Sequence, residues 1–283
     1  MAFIKDLEKK RISVLRISSS IINFREKLLE RFELKEWVWF EDRNKNLVFF
    51  GMYHWGDYIR FLWHQGIRSR DKIQQRTTIF WCGSDILNLK KCSIYLFPFF
   101  RKARNICENE VEKLELAKYG ITAEIYPMCF EVFDEIKESY KHSDFPNVYL
   151  CCHSGYKEEY GVNYIEGLAS VIPEVIFHIY GMYGISNNQN VIYHGVVTNE
   201  LFNEEIKNYQ AGLRLNDFDG FSEVLAKSIL MGQWPISRIS YPYIDYAKDT
   251  ISLINLLKDL KNKKRPNTEG RYFWMKELSK SFL

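Results

Sequence analysis

Hydrophobic residues along the chain fall into two kinds of stretch. Short unbroken apolar runs rich in Val, Ile and aromatics alternate with longer segments whose apolar residues recur every three to four positions. The first kind suits strands buried on both faces and the second suits the helices that cover them. The alternation therefore predicts an α/β chain built on parallel sheets. In the first half, ISVLRI (12–17), EWVWF (36–40), LVFFGMY (47–53), TTIFWCG (77–83) and AEIYPM (123–128) read as strands. Helical periodicity falls on 22–32, 55–67 and 109–120, the last closing on Gly120. The polar stretch 130–146 interrupts the pattern and divides the chain into an N-terminal domain, 1–140, and a C-terminal domain, 141–283. Beyond it, strands are expected at 147–153, 174–181, 190–197, 212–216 and 234–237. Helices are expected at 160–172, 199–210, 221–232, 248–262 and 270–283. The expectation is two Rossmann-like domains facing across a cleft, the C-terminal helix a candidate to cross back to the first. Ligands of such sheets lie outside the carboxyl ends of the strands.

Composition narrows the class. The 283 residues suit two domains of roughly 140 each. With 46% hydrophobic and 27% charged residues, both can hold a core. A formal charge of +3 is too small to argue for nucleic acid, and Lys261–Arg265 reads as a solvated basic loop. The six cysteines (Cys82, Cys92, Cys107, Cys129, Cys151, Cys152) form no CxxC pair and sit mostly in apolar runs, as reduced thiols of a cytoplasmic protein would. The charged opening MAFIKDLEKKRISVL predicts no signal peptide. The longest apolar run, IYLFPFF, falls far short of the ~18 residues of a membrane span. Peripheral membrane contact is left open: IYLFPFFRK (94–102) either packs as core or touches a lipid-linked acceptor.

The chemistry should lie in the loops that follow strands. In the second half these carry Ser154, Gly155 and Lys157, then Gly181 in GMYG, then His194 before Gly195, then the stretch RLNDFDGFSEVLAKSILMGQWPIS (214–237). Gly220 allows a ligand close to the backbone. Ser222 can cap the following helix, whose free N–H groups favour phosphate. Arg214 offers a fixed fork of donors to a diphosphate, and Lys227, one to two turns into the helix, either reaches the same site or is simply exposed. In the first half, MYHWGDY (52–58) sets His54 and Asp57 straight after a strand, and GSD sets Asp85 after the next. Each aspartate reads either as a catalytic group facing an acceptor or as a helix N-cap. Glu108 and Glu110 read as caps of the helix that follows them.

The order strand, DGFSEVLAKSILMG, then QWPIS resembles the donor-binding segment of GT-B glycosyltransferases of the family 4 type. Asp219, Gly220, Phe221, Gly232 and Pro235-Ile236 carry the match, and Glu223 lies beside it. Upstream, IFHIYGMYG and NVIYHGVVTNELFNEEIKNYQAGLRLN are similar to the family's preceding strands and helix. TTIFWCGSDI and ARNICENEVEKLELAKYGITAEIYPM resemble segments of its N-terminal domain. The likeness runs in register over about 77–237. Lys227 stands where the family has a second glutamate that holds the donor ribose, SSS (18–20) replaces a glycine-rich loop, and SGYKEEYG offers only Lys157 for the diphosphate. The resemblance implies transfer of a hexose-type sugar from a nucleotide-diphosphate donor to a hydroxyl of a glycan, lipid or protein acceptor. It also implies retention of configuration, with no metal or other cofactor. Two other readings share the fold: a nucleotide- or glycan-binding protein without turnover, and a sugar-nucleotide epimerase.

Overall fold

The computed structural model of the chain describes residues 12–19, 21, 28–29, 35–38, 46–66, 77–92, 94–129 and 135–280. It divides into two compact units. The first comprises Met1–Glu131 with Phe218–Phe221 and Lys280–Leu283, and the second Val132–Asp217 with Ser222–Ser279. The Asp-Gly-Phe turn singled out in the sequence is thus part of the first unit, although the strand before it and the helix after it belong to the second.

The first unit holds strands β1 (Ile12–Ile17), β2 (Lys35–Glu36), β3 (Asn46–Phe50), β4 (Thr77–Phe80), β5 (Arg104–Cys107) and β6 (Ala123–Ile125). They form a wholly parallel sheet in the order β2-β1-β3-β4-β5-β6. Alternation along the strands explains why their sequences are apolar throughout. Val14, Leu47, Phe49, Ile79 and Trp81 pack on one face, and Leu15, Ile17, Val48, Phe50, Phe80 and Ile106 on the other. Helices α1 (Trp55–Gly66), α2 (Phe97–Lys102) and α3 (Glu110–Ala117) are described in this unit. Of the helix expected over 22–32, all but Leu28 and Leu29 lies outside the described residues, as do 1–11 and 130–134.

The run IYLFPFF is largely core. Phe97 and Phe100 are buried within α2, while Tyr95 just before it is 81% exposed.

The second unit repeats the plan with β7 (Asn147–Cys151), β8 (Ile176–Tyr180), β9 (Val191–Gly195), β10 (Ala211–Arg214), β11 (Ile236–Ser237) and β12 (Asp245–Tyr246). The order is β12-β11-β10-β7-β8-β9, again all parallel. Chain order reverses direction between β7 and β10, and that is where an open parallel sheet leaves a crevice beyond its carboxyl edge. Around this sheet lie α4 (Val162–Ala169), α5 (Asn199–Glu205), α6 (Glu223–Leu230), α7 (Thr250–Asp259) and α8 (Thr268–Leu278). The C-terminal helix α8 belongs to this unit and packs on α6; the chain groups with the first unit only from Lys280. Gly212 in β10 lets α6 lie close: a Cβ there would meet the Val224 carbonyl at 2.9 Å. Ser228 Oγ accepts the Gly212 amide at 2.8 Å, and the Tyr149 hydroxyl donates to the Val224 carbonyl at 3.3 Å.

Candidate functional site

In the first unit the chain reverses between β1 and β3, so residues after these strands border that sheet's own crevice. Of the three residues expected to act there, His54 is exposed at the start of α1, while the two aspartates face inward. Asp57 is 2% exposed. It accepts the Ser18 hydroxyl at 2.6 Å and the His54 amide at 3.0 Å, with Arg16 and Arg60 at 3.8 and 3.9 Å. Asp85 is fully buried and accepts the amides of Met52 at 2.9 Å and Cys82 at 3.0 Å. Burial raises its carboxyl to about 7, although the amides it binds pull the other way. Both aspartates therefore tie loops to one another, their oxygens accepting from protein donors. Replacing Asp85 by Ala should orphan two buried N–H groups. The expected loss is on the order of 2–4 kcal/mol, seen as a lowered urea midpoint without change of m.

In the second unit, Arg214 ends β10 and Cys151 ends β7, on either side of the reversal. The Arg214 guanidinium lies over the Tyr160 ring, 4.3 Å from its centroid. Tyr160 follows the exposed loop that carries Ser154, Gly155 and Lys157. Burial pushes the Cys151 thiol up to about 12 while the charges of Arg214 and Lys227 pull it down, so both cations act on the carboxyl end of β7. Lys227 nevertheless differs from expectation. It is 5% exposed, donates to Asn203 Oδ1 at 2.9 Å and lies 5.3 Å from the Phe202 ring centre. Its ammonium is part of the contact between α6 and α5. Ser222 is the N-cap of α6, its hydroxyl accepting the Leu225 amide at 3.3 Å, and Glu223 opens the helix. Gly181 has φ +84° and a Cβ there would sit 2.6 Å from the Cys152 carbonyl, so only glycine lets β8 turn away at that point.

His194 proves to be part of a closed polar cluster. Its Nε2 faces His178 Nδ1 at 2.8 Å, its Nδ1 lies 3.5 Å from Glu205, and its ring stacks on Tyr180 at 4.2 Å. His178 in turn meets Asn147 Oδ1 at 2.9 Å and the Tyr209 hydroxyl at 3.2 Å. Burial lowers His178 to about 4, and the neighbouring His194 adds to the shift. The unfolded chain, with its ordinary value near 6.5, takes up the proton first. Stability should thus be full above about pH 6.5 and fall as pH drops towards 4, by on the order of 3 kcal/mol. Urea titrations at pH 7.5 and 4.5 should show this loss, and His178→Gln should shrink it.

Asp219, Gly220 and Phe221 belong to the first unit. The Asn109 side-chain amide donates to the Asp219 carbonyl at 2.7 Å, and the Phe221 amide hydrogen-bonds the Glu108 carboxyl. Neither Glu108 nor Glu110 caps α3. Asn109 does so, accepting the Glu112 amide at 2.9 Å. The sequence reading missed Asn109 as a cap although Asn immediately before a run of helix formers is such a signal.

No protein-family model matches the chain, and no curated protein does. Solved structures do. Sucrose-phosphate synthase from Thermosynechococcus elongatus superposes with a TM-score of 0.60 at 10% identity, covering 82% of this chain and 69% of that one. The lipopolysaccharide outer core galactosyltransferase WaaB gives 0.58 at 16% identity, over 92% and 78%. HepE of Anabaena, solved with UDP and glucose, gives 0.56 at 10% identity, over 95% and 100%. The chain spans about half the length of others it matches, 51% of Staphylococcus aureus TarM and 54% of the pneumococcal O-GlcNAc transferase GtfA. The two parallel six-stranded sheets are those of the GT-B glycosyltransferase fold.

Proposed function

We propose that the chain is a glycosyltransferase that takes a hexose-type sugar from a nucleotide-diphosphate donor and passes it to an acceptor hydroxyl, without a metal and with retention. The observation that carries this reading is Arg214: it ends β10 beside the reversal of the second sheet, its guanidinium laid on Tyr160. Sugar transfer needs the departing diphosphate stabilised and the acceptor hydroxyl held at the anomeric carbon, and little covalent help. The C1–O bond to the diphosphate breaks with its electron pair leaving on the phosphate oxygen. The acceptor oxygen bonds to C1 and its proton passes to a base. Arg214 and the N-terminus of α6 capped by Ser222 would hold the diphosphate. His54, exposed at the crevice of the first sheet, is a candidate for the acceptor side.

Several neighbours were solved with UDP, which makes it the first nucleotide to test. In a thermal-shift panel of UDP, GDP, ADP, dTDP and their sugars, one nucleotide should raise the melting temperature, equally with and without EDTA. No shift across the panel would sink the reading. A binding protein without turnover is the second reading, favoured by the inward-turned Asp57 and Asp85. A nucleotide shift with no sugar release or transfer over a range of glycan acceptors would point to it.

A further inference from the structure

The turn between β5 and α3 is built around the segment Phe218–Phe221. Glu108 is buried, and its Oε1 accepts the Met128 amide at 3.2 Å while the Phe221 amide hydrogen-bonds the same carboxyl. The carboxyl fills the space beneath Gly220: a Cβ at 220 would sit 1.9 Å from Glu108 Oε2. From another side Gly83, at φ +86°, comes so close that its own Cβ would be 2.9 Å from the Gly220 nitrogen. Asn109 holds the Asp219 carbonyl at 2.7 Å, and Phe218 packs on the aromatic core of the unit. Every residue of the segment is therefore gripped. Behind Glu108, fully buried Glu112 accepts its amide at 2.5 Å. Burial pushes both carboxyls well above the usual glutamate range. The charge of Asp219 adds to the shift of Glu108, and that of Glu108 to the shift of Glu112.

We infer that Glu108 and Asn109 are positioning residues for the donor: they fix the Asp219–Gly220 peptide in one place, and residue 220 is glycine because the Glu108 carboxyl occupies the volume of any side chain. This rests on the reading of 214–222 as the donor segment. A backbone held before the ligand arrives has less freedom to lose when it binds, so the hold should appear in affinity and not in the chemical step.

Two variants test it. Glu108→Gln puts a non-accepting NH2 in place of one carboxylate oxygen. Asn109→Ser keeps a helix cap and removes only the link to Asp219. Amide hydrogen exchange over 216–222 should rise at least tenfold in both, with circular dichroism unchanged. The KM for the UDP-sugar and the Kd for UDP should rise about fivefold while kcat moves less than twofold. Unchanged exchange in the folded variants would overturn the inference whatever UDP does. Faster exchange with unaltered UDP affinity would also overturn it, leaving the glycosyltransferase reading intact. A wild-type chain that binds no nucleotide sinks that reading, and the inference with it.

Discussion

Arg214→Ala is expected to weaken UDP binding by about 10- to 100-fold. A guanidinium that makes charge-assisted hydrogen bonds to a diphosphate contributes about 1.5–3 kcal/mol, and each 1.4 kcal/mol is a factor of ten in affinity. Arg214 is half-buried and lies on Tyr160, so part of its rotamer freedom is already spent before a ligand arrives. Arg214→Lys should recover little, because an ammonium offers neither the fork nor the flat face that stacks on the ring. Isothermal titration with UDP separates the cases. Equal affinity of wild type and Arg214→Ala would remove Arg214 from the donor site, and with it the observation on which the functional reading stands.

Phe100→Ala should be the most damaging single change to stability, at about 3–5 kcal/mol. Phe100 is fully buried, and the rings of Tyr58, Phe61, Trp81 and Phe97 surround it at centroid distances of 5.8, 5.1, 5.9 and 6.3 Å. Trp81 is itself fixed by its Nε1 donating to Asn105 at 3.0 Å, so the site has little scope to collapse around a missing ring. Tyr95→Ala, only five positions earlier but exposed, should change stability by less than about 0.5 kcal/mol. Urea denaturation of the two variants reads the contrast. A loss below about 1.5 kcal/mol for Phe100→Ala would mean that the aromatic cluster is looser than described.

These aromatics also show why much of the fold could be read in advance. Strands such as VYL and IFHIY are apolar on both faces because helices cover both, and continuous apolarity is visible from one sequence. β5, by contrast, starts on an arginine and is four residues long, and β12 is the two residues Asp245–Tyr246, set by pairing with β11. Nothing local marks them. The same limit governs the site. The cap that Ser222 makes was legible because cap chemistry is written within a few residues. Asp85 was not, since its partner amide at Met52 lies 33 positions away and an aspartate after a strand looks alike whether it meets a ligand or a backbone. Lys227 misled for a related reason. A lysine in a helix normally reads as solvated, but every residue of α6 from Val224 to Leu230 is buried. Its charge is accommodated by Asn203 and the Phe202 ring on another helix.

The hold of Asn109 on Asp219 joins residues 110 positions apart. On a ribosome the chain emerges from its N-terminus, so the seat made by Glu108, Asn109 and Gly83 is finished long before its occupant exists. At about 5–20 residues per second the wait is roughly 5–20 s. During it the Glu108 carboxyl holds the Met128 amide but lacks its second donor, the Phe221 amide. The first half would therefore complete its fold only when the second is nearly made, and a nascent chain arrested before residue 218 should be the form most open to protease near Glu108.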